Sequence, residues 1–134
     1  MEIDYKKIEL YLDVLLKSKE PMINTLDYLS ELKLNVDDKD EFKEFFHYTK
    51  LLKDAELIIC DNDNEGNLGL SFTSMGEPMI SVKMFRLTIN GHQILEALKT
   101  DGIWDKIGSV AKSLGISGLK QIPALAIKYF ENNQ

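Results

Sequence analysis

The chain has 134 residues, of which 44% are hydrophobic and 28% charged, a composition typical of one globular domain that buries its own core. Its net charge of −6 excludes a general attraction to nucleic-acid phosphates or to anionic lipid. The single cysteine, Cys60, cannot form an internal disulfide and is expected to be an inert buried thiol. The N-terminal residues contain no uninterrupted hydrophobic segment, which argues against a signal peptide or membrane span and predicts a cytoplasmic protein.

The first predicted element is an amphipathic helix from Asp4 to about Ser18. Its apolar stripe is widened by Leu16, while Leu10, Tyr11 and Val14 lie outside it. An apolar band this wide predicts burial on two sides, either by a C-terminal helix of the same chain or by a second subunit. The residues of the stripe are Tyr5, Ile8, Leu12 and Leu15.

Two more helices are predicted before the first strand. A short one spans Thr25 to Leu32, with Asn24 or Thr25 as its N-cap. The third runs from about Lys39 to Asp54, because Asp38 three residues before Glu41 forms an acidic version of the capping box. The expected inward-facing residues are Leu26, Leu29 and Leu32 in the second helix, and Phe42, Phe45, Thr49 and Leu52 in the third.

A strand-rich segment follows. Leu57–Cys60 is a continuous apolar run of strand length, and the residues from Asp61 to Asn67 favour turn geometry, so we expect a hairpin loop there. Leu68–Thr73 is the predicted second strand, and a turn at residues 74–78 leads into a third strand at Met79–Leu87.

The loop between the first two strands resembles the opening of a calcium-binding EF-hand loop. Oxygen ligands alternate from Asp61 onward and Gly66 stands sixth, but the twelfth position is Phe72 instead of a bidentate carboxylate. We therefore interpret the segment as a turn. His47 and His92 are the only histidines, and neither has a second ligand at metal-binding spacing on its own helix.

The most distinct signal is the junction where a strand passes into a helix at Thr88. Thr88 is the expected N-cap, and Gly91 falls near the third helical position, where a missing side chain permits close backbone packing. Ile94, Leu95 and Leu98 share one face of that helix. Two C-terminal helices are predicted beyond it: one spans about residues 103–114 and the other about residues 122–130.

Two segments of the chain resemble a known family. His47–Ile58 is similar to the "xxLLxxAGLI" end of a third helix that runs into a wing, with Glu56 where that pattern has glycine. Arg86–His92 resembles the "RLTxxGH" entry to the next helix. With Leu95–Leu98 and Gly102–Lys106, these segments are similar to a family of phage and prophage proteins classed as a domain of unknown function, whose members resemble winged helix-turn-helix regulators.

The resemblance and the element order together imply an α+β fold, mainly α with a small antiparallel β-wing. We expect one winged-helix domain over residues 1–134, with its core at residues 1–100. The two C-terminal helices at residues 101–134 then form an extension that is a candidate for oligomerisation.

No catalytic nucleophile, phosphate-binding loop or cofactor motif is present in the sequence, so we expect a binding protein and not an enzyme. Two kinds of partner fit. A dimeric DNA-binding regulator would use the third helix and the wing, with candidate contacts Lys39, Lys43, His47, Lys50 and Lys83.

Charge favours the other kind, a protein partner or a second copy of the chain. Residues 37–56 carry a net −3 and residues 57–87 a net −2, whereas residues 88–134 carry +1. Carboxylates at the leading end of the third helix would oppose a phosphate backbone and attract a basic protein surface. The candidate acidic contact surface is Asp37, Asp38, Asp40, Glu41 and Glu44.

Overall fold

The computed structural model describes residues 3–99 and, beyond them, only Gln121 and Ala124, so the predicted C-terminal helices and the extension at 101–134 lie outside the described residues. Residues 3–99 form an α+β domain. Its helices are α1 (Tyr5–Lys17), α2 (Thr25–Glu31), α3 (Lys39–Asp54) and α4 (Ile89–Leu98). Its strands are β1 (Ile23–Asn24), β2 (Ile58–Asp61), β3 (Leu70–Phe72), β4 (Pro78–Ile80) and β5 (Met84–Leu87).

Short polar side chains start all four helices. Asp4 accepts a hydrogen bond from the Lys6 amide, Asn24 from Asp27 and Thr88 from Gly91, which satisfies amides that have no partner within the helix. Asp38 caps α3 in the same way, and the predicted bounds of α3 are confirmed.

Most of the predicted inner faces are confirmed, with two corrections. The predicted α1 stripe and the α3 face that begins with Phe42 are buried. Leu26, predicted to face inward, is 52% exposed, because the buried face of α2 is formed by Thr25, Tyr28 and Leu29. On α1, Leu16 was expected to widen the apolar stripe but is exposed. Tyr11, which was placed outside the stripe, is buried and widens it instead.

The strands pair differently from the expected hairpin. β2 pairs with β5, antiparallel, with Ile58 opposite Leu87 and Asp61 opposite Met84. The two-residue strand β1, which the sequence did not indicate, pairs with the other edge of β5, so the sheet order is β1-β5-β2. The expected loop at residues 61–67 therefore does not close a hairpin between Leu57–Cys60 and Leu68–Thr73.

Instead, β3 and β4 form a hairpin of their own within the long connection from β2 to β5. Leu70 lies opposite Ile80 and Phe72 opposite Pro78. The strand expected to run without a break from Met79 to Leu87 is interrupted at Ser81–Lys83. The Ser81 amide donates to the Gly69 carbonyl at the base of the hairpin (2.7 Å), and the Lys83 carbonyl accepts from the Thr25 amide (3.0 Å) before β5 begins. We call residues 62–83 the wing.

The core is an aromatic cluster between the helices and the sheet. The rings of Tyr28 and Phe85 lie 5.4 Å apart and those of Tyr28 and Phe45 lie 5.5 Å apart, both edge to face. The Tyr28 hydroxyl donates to the Tyr11 carbonyl at 2.9 Å, which joins α2 to α1. This packing fixes α3 against the rest of the domain.

The junction before α4 is built as the sequence predicted. The Thr88 hydroxyl accepts from the Gly91 amide at 3.0 Å and donates to the Glu56 carbonyl at 2.7 Å. A Cβ at Gly91 would lie 2.2 Å from the Leu57 carbonyl oxygen, so α4 can approach the end of α3 only because this residue is glycine. Within residues 3–99, no helix combines the length and apolar character that crossing a membrane requires.

Candidate interaction surface

The outward side of α3 carries the cationic candidates. Their spacing of four, four and three residues places them along one side of the helix. The Lys39 ammonium lies 3.4 Å from the Glu77 carboxylate and the Lys50 ammonium 3.4 Å from Asp54, so both charges are compensated locally. Lys43 is exposed and makes no ion pair with another described residue. The four candidates on this side are Lys39, Lys43, His47 and Lys50.

His47 has an environment that opposes a positive charge. Its Nε2 atom is buried without a hydrogen-bond partner among residues 3–99, and its ring contacts Tyr48 edge to face at 5.1 Å. Burial lowers the pKa of His47, although the nearby Glu44 carboxylate acts in the opposite direction. The lowered pKa favours the uncharged form of this histidine at neutral pH.

The acidic candidates divide into occupied and free carboxylates. Asp38 accepts hydrogen bonds from the amides of Asp40 (2.9 Å) and Glu41 (3.2 Å), which is its capping role. Glu41 accepts from the amide of Asn35 at 3.4 Å. Glu44 is half-buried and pairs with the Lys7 ammonium of α1.

Asp37 and Asp40 are the members of this set that point freely into solvent. Both residues are exposed, and neither carboxylate has an ion pair or hydrogen bond within the described part of the chain. They lie immediately before and within the first turn of α3. We call them the acidic corner.

The start of the wing is held together by a buried carboxylate. The Asp63 side chain is only 4% exposed; it accepts from the Lys53 ammonium at 2.8 Å and from the Leu68 amide at 2.9 Å. Burial works against ionisation, but these hydrogen bonds hold the pKa of Asp63 below its ordinary value. Lys83 donates to the Asn62 carbonyl at 3.0 Å and so also supports this turn.

These contacts explain why the segment that resembles a calcium-binding loop, from Asp61 onward, forms a turn. The Asp63 carboxylate accepts hydrogen bonds from Lys53 of α3 and from the Leu68 amide of its own loop, as the side chain of an interior turn residue does. Among the described residues, no three side chains of the histidine, cysteine, aspartate or glutamate type are grouped for a metal ion.

The β3–β4 hairpin presents large apolar side chains to solvent. Met75 at its turn is 86% exposed, Met79 is 50% exposed and Phe72 is 40% exposed. Two contacts place this hairpin beside the first turns of α3: the rings of Phe42 and Phe72 lie 5.2 Å apart, and Lys39 pairs with Glu77. The apolar hairpin and the acidic corner are thus neighbours.

The charge of this half of the domain is strongly negative. Residues 37–87, which contain α3, the wing and the flanking strands, carry six basic and eleven acidic side chains. Their net −5 accounts for most of the −6 of the whole chain. A polyanion would meet unfavourable electrostatics here, whereas a basic protein would be attracted.

Cys60 has no activating environment. The residue is half-buried in β2, and burial, together with the negative charge of Asp63, raises the pKa of its thiol to about 11. The thiol is therefore protonated at neutral pH, where it is a poor nucleophile. The raised pKa agrees with the expectation of an inert thiol, but the residue is half-buried where full burial was expected.

Comparison with known protein families assigns this α+β domain to one family. A family model described as "Hypothetical protein (DUF2513)" matches residues 6–117, which is most of the chain. The chain belongs to this family. The curated proteins and the solved structures gave no match.

Proposed function

We propose that this protein is a non-enzymatic winged-helix binding module that acts through protein–protein contacts on its acidic surface. The order α1, β1, α2, α3, followed by β2 and β5 on either side of a long wing and then α4, supports a winged helix. In that arrangement α3 and the wing are the elements that meet a partner. A phage or prophage origin, as the sequence resemblance implies, fits a small regulatory module of this kind.

The observation that carries the proposal is the charge of the surface that would meet the partner. Asp37 and Asp40 are free carboxylates at the leading end of α3, where a DNA-reading helix requires cations and amides. Lys39 and Lys50 are already paired with carboxylates, and the lowered pKa of His47 favours its uncharged form. The partner we infer is a protein with a basic contact surface.

Charge neutralisation tests the proposal. Asp37→Asn combined with Asp40→Asn removes the acidic corner, and Glu20→Gln combined with Glu31→Gln is a control that removes two exposed carboxylates elsewhere. In quantitative affinity capture from the native host, we expect the wild-type chain and the control to retain the same stoichiometric basic partner and the corner variant to lose it. Equal recovery by all three chains, or no stoichiometric partner, would contradict the proposal.

DNA binding is a second candidate, and one observation favours it. Lys39, Lys43 and Lys50 share the outward side of the third helix, which is the element that enters the major groove in helix-turn-helix proteins. If that face contacts phosphates, a gel-shift titration should show a steep loss of affinity with salt. Lys43→Ala and Lys50→Ala should each reduce the log–log slope by about one, while Lys19→Ala should not. Absence of a shift at low salt would remove this candidate.

A further inference from the structure

We infer that the β3–β4 hairpin is the apolar anchor of the acidic surface, and that the partner is a basic protein segment carrying large apolar side chains. The inference rests on the proposed function and specifies its partner. Single exposed apolar residues are common on protein surfaces. Here Phe72 and Met75 are exposed on one hairpin whose strands have three residues each, and the β3–β4 register places Met79 on the opposite face from Phe72.

The turn that carries Met75 is stiff. The Thr73 hydroxyl accepts from the amides of Met75 (3.3 Å) and Glu77 (3.0 Å), and the Thr73 amide donates to the Glu77 carbonyl at 2.8 Å. A turn that is already ordered loses little conformational entropy when it docks. Methionine adapts its shape to irregular apolar surfaces, so a rigid turn with a methionine at its apex suits an anchor residue.

Charge decides what kind of surface fits this anchor. The acidic corner lies beside the hairpin, because the Phe42–Phe72 and Lys39–Glu77 contacts join the turn to the start of α3. The Lys39–Glu77 pair cancels its own charge, and the unpaired carboxylates of Asp37 and Asp40 outnumber the one unpaired ammonium, Lys43, at the described first turns of α3. The complementary partner therefore combines apolar side chains with flanking lysines or arginines.

Another exposed apolar residue offers a matched control. Ile89 is 78% exposed at the first position of α4, close to Met75 in exposure. It follows the Leu87 end of β5, whereas the wing joins the sheet at the opposite end, where Met84 pairs with Asp61. Ile89→Ser removes a comparable apolar side chain far from the proposed anchor.

The test uses the full chain and two synthetic peptides. One peptide places lysine and leucine at helical spacing, and the other replaces every leucine with glutamine. Fluorescence anisotropy should show that the wild-type chain and Ile89→Ser bind the lysine–leucine peptide about fivefold or more tightly than its glutamine counterpart. Met75→Ser should abolish that preference, whereas Met79→Ser, on the hairpin face opposite Phe72, should keep it. The corner variant Asp37→Asn with Asp40→Asn should bind both peptides more weakly.

The outcomes separate this inference from the proposed function. If Met75→Ser keeps the preference while the corner variant loses affinity, the anchor is wrong and the acidic surface stands. If the corner variant binds both peptides as well as the wild type, the acidic surface is wrong, and the inference falls with it. Unchanged peptide binding with a loss of stability in Met75→Ser would mean that Met75 supports the fold and is not an anchor. Co-sedimentation with neutral phosphatidylcholine vesicles that needs Met75 would assign the hairpin to lipid.

Discussion

Glu56 adopts a left-handed backbone conformation at the end of α3, with φ 62°. The Glu56 amide donates to the Lys53 carbonyl and the Leu57 amide to the Leu52 carbonyl, both at 2.9 Å, which is the Schellman arrangement that usually has glycine at this position. The "xxLLxxAGLI" pattern has glycine at this position, and α3 keeps the ending that glycine favours although Glu56 carries a side chain. A side chain here costs energy because its Cβ crowds the carbonyl that follows it.

Replacing this residue should therefore stabilise the protein. Glu56→Gly relieves the crowding and should raise the free energy of unfolding by about 1 kcal/mol in urea titrations. Glu56→Ala is the control, since alanine removes the charge but keeps the Cβ. An equal gain in both variants would mean that the charge, and not the backbone, is the source of the cost.

Asp63 should make stability depend on acid pH. Because hydrogen bonds lower its pKa in the folded state, its contribution is complete above the ordinary aspartate pKa of about 3.9. That contribution is lost as the pH falls through the lower, folded-state pKa. Asp63→Asn should cost about 2 kcal/mol at neutral pH and show a weaker loss of stability below pH of about 4.

Urea unfolding of wild type and Asp63→Asn at neutral and acid pH measures this effect. Glu65→Gln, an exposed change in the same loop, is the control and should follow the wild type at both pH values. If Asp63→Asn loses as much stability on acidification as the wild type does, the Lys53–Asp63 pair is not responsible for the acid sensitivity.

Among the elements, the position of α4 depends on one close backbone contact. Gly91→Ala would place a methyl group 2.2 Å from the Leu57 carbonyl oxygen and 3.0 Å from Leu87 Cδ2. The helix or the end of α3 must move, so we expect a loss of about 3 kcal/mol in the free energy of unfolding. Asn90→Ala, on the exposed neighbouring position, should change it little. Similar free energies of unfolding for Gly91→Ala and Asn90→Ala would show that the position of α4 does not depend on this contact.

The helices could be predicted from the sequence and the strand pairing could not, for physical reasons. Asp38 and the periodic apolar residues of α3 act within a few residues of one another, so local pattern was sufficient. β1 has only two residues and forms because β5 lies beside it, where Ile23 pairs with Phe85, a residue far away in the sequence. No periodicity exists in so short a strand.

The wrong hairpin arose at the wing. Leu57–Cys60 and Leu68–Thr73 are neighbours in sequence, and short connections are usual between paired strands. In the structure Leu68 and Gly69 both have positive φ, 62° and 74°, and turn the chain away from β2 before β3 begins. Leucine rarely adopts that conformation, so Leu68 was interpreted as the first residue of a strand and not as part of a turn.

At the scale of the whole molecule, segment charge anticipated the acidic half of the domain, but not which carboxylates are free. Glu44 was a contact candidate until the fold placed Lys7 of α1 beside it. Likewise, nothing in a run such as Ser74–Gly76 shows that a methionine there will stand in solvent next to α3. Both facts depend on contacts between distant parts of the chain. Asp37 and Asp40 were among the five acidic candidates from the sequence, and the fold distinguishes them from the other three.

The most direct measurement of the central claim is an NMR titration of the isotope-labelled full chain, followed through its backbone amide signals. One titration adds the lysine–leucine peptide and a second adds a random-sequence DNA duplex, both at low salt. We expect the peptide to shift the amides of Asp37, Asp40 and Met75, and the duplex to leave the spectrum unchanged. Shifts produced by the duplex at Lys43 and Lys50, with none produced by the peptide, would contradict the assignment of this surface to a basic protein partner.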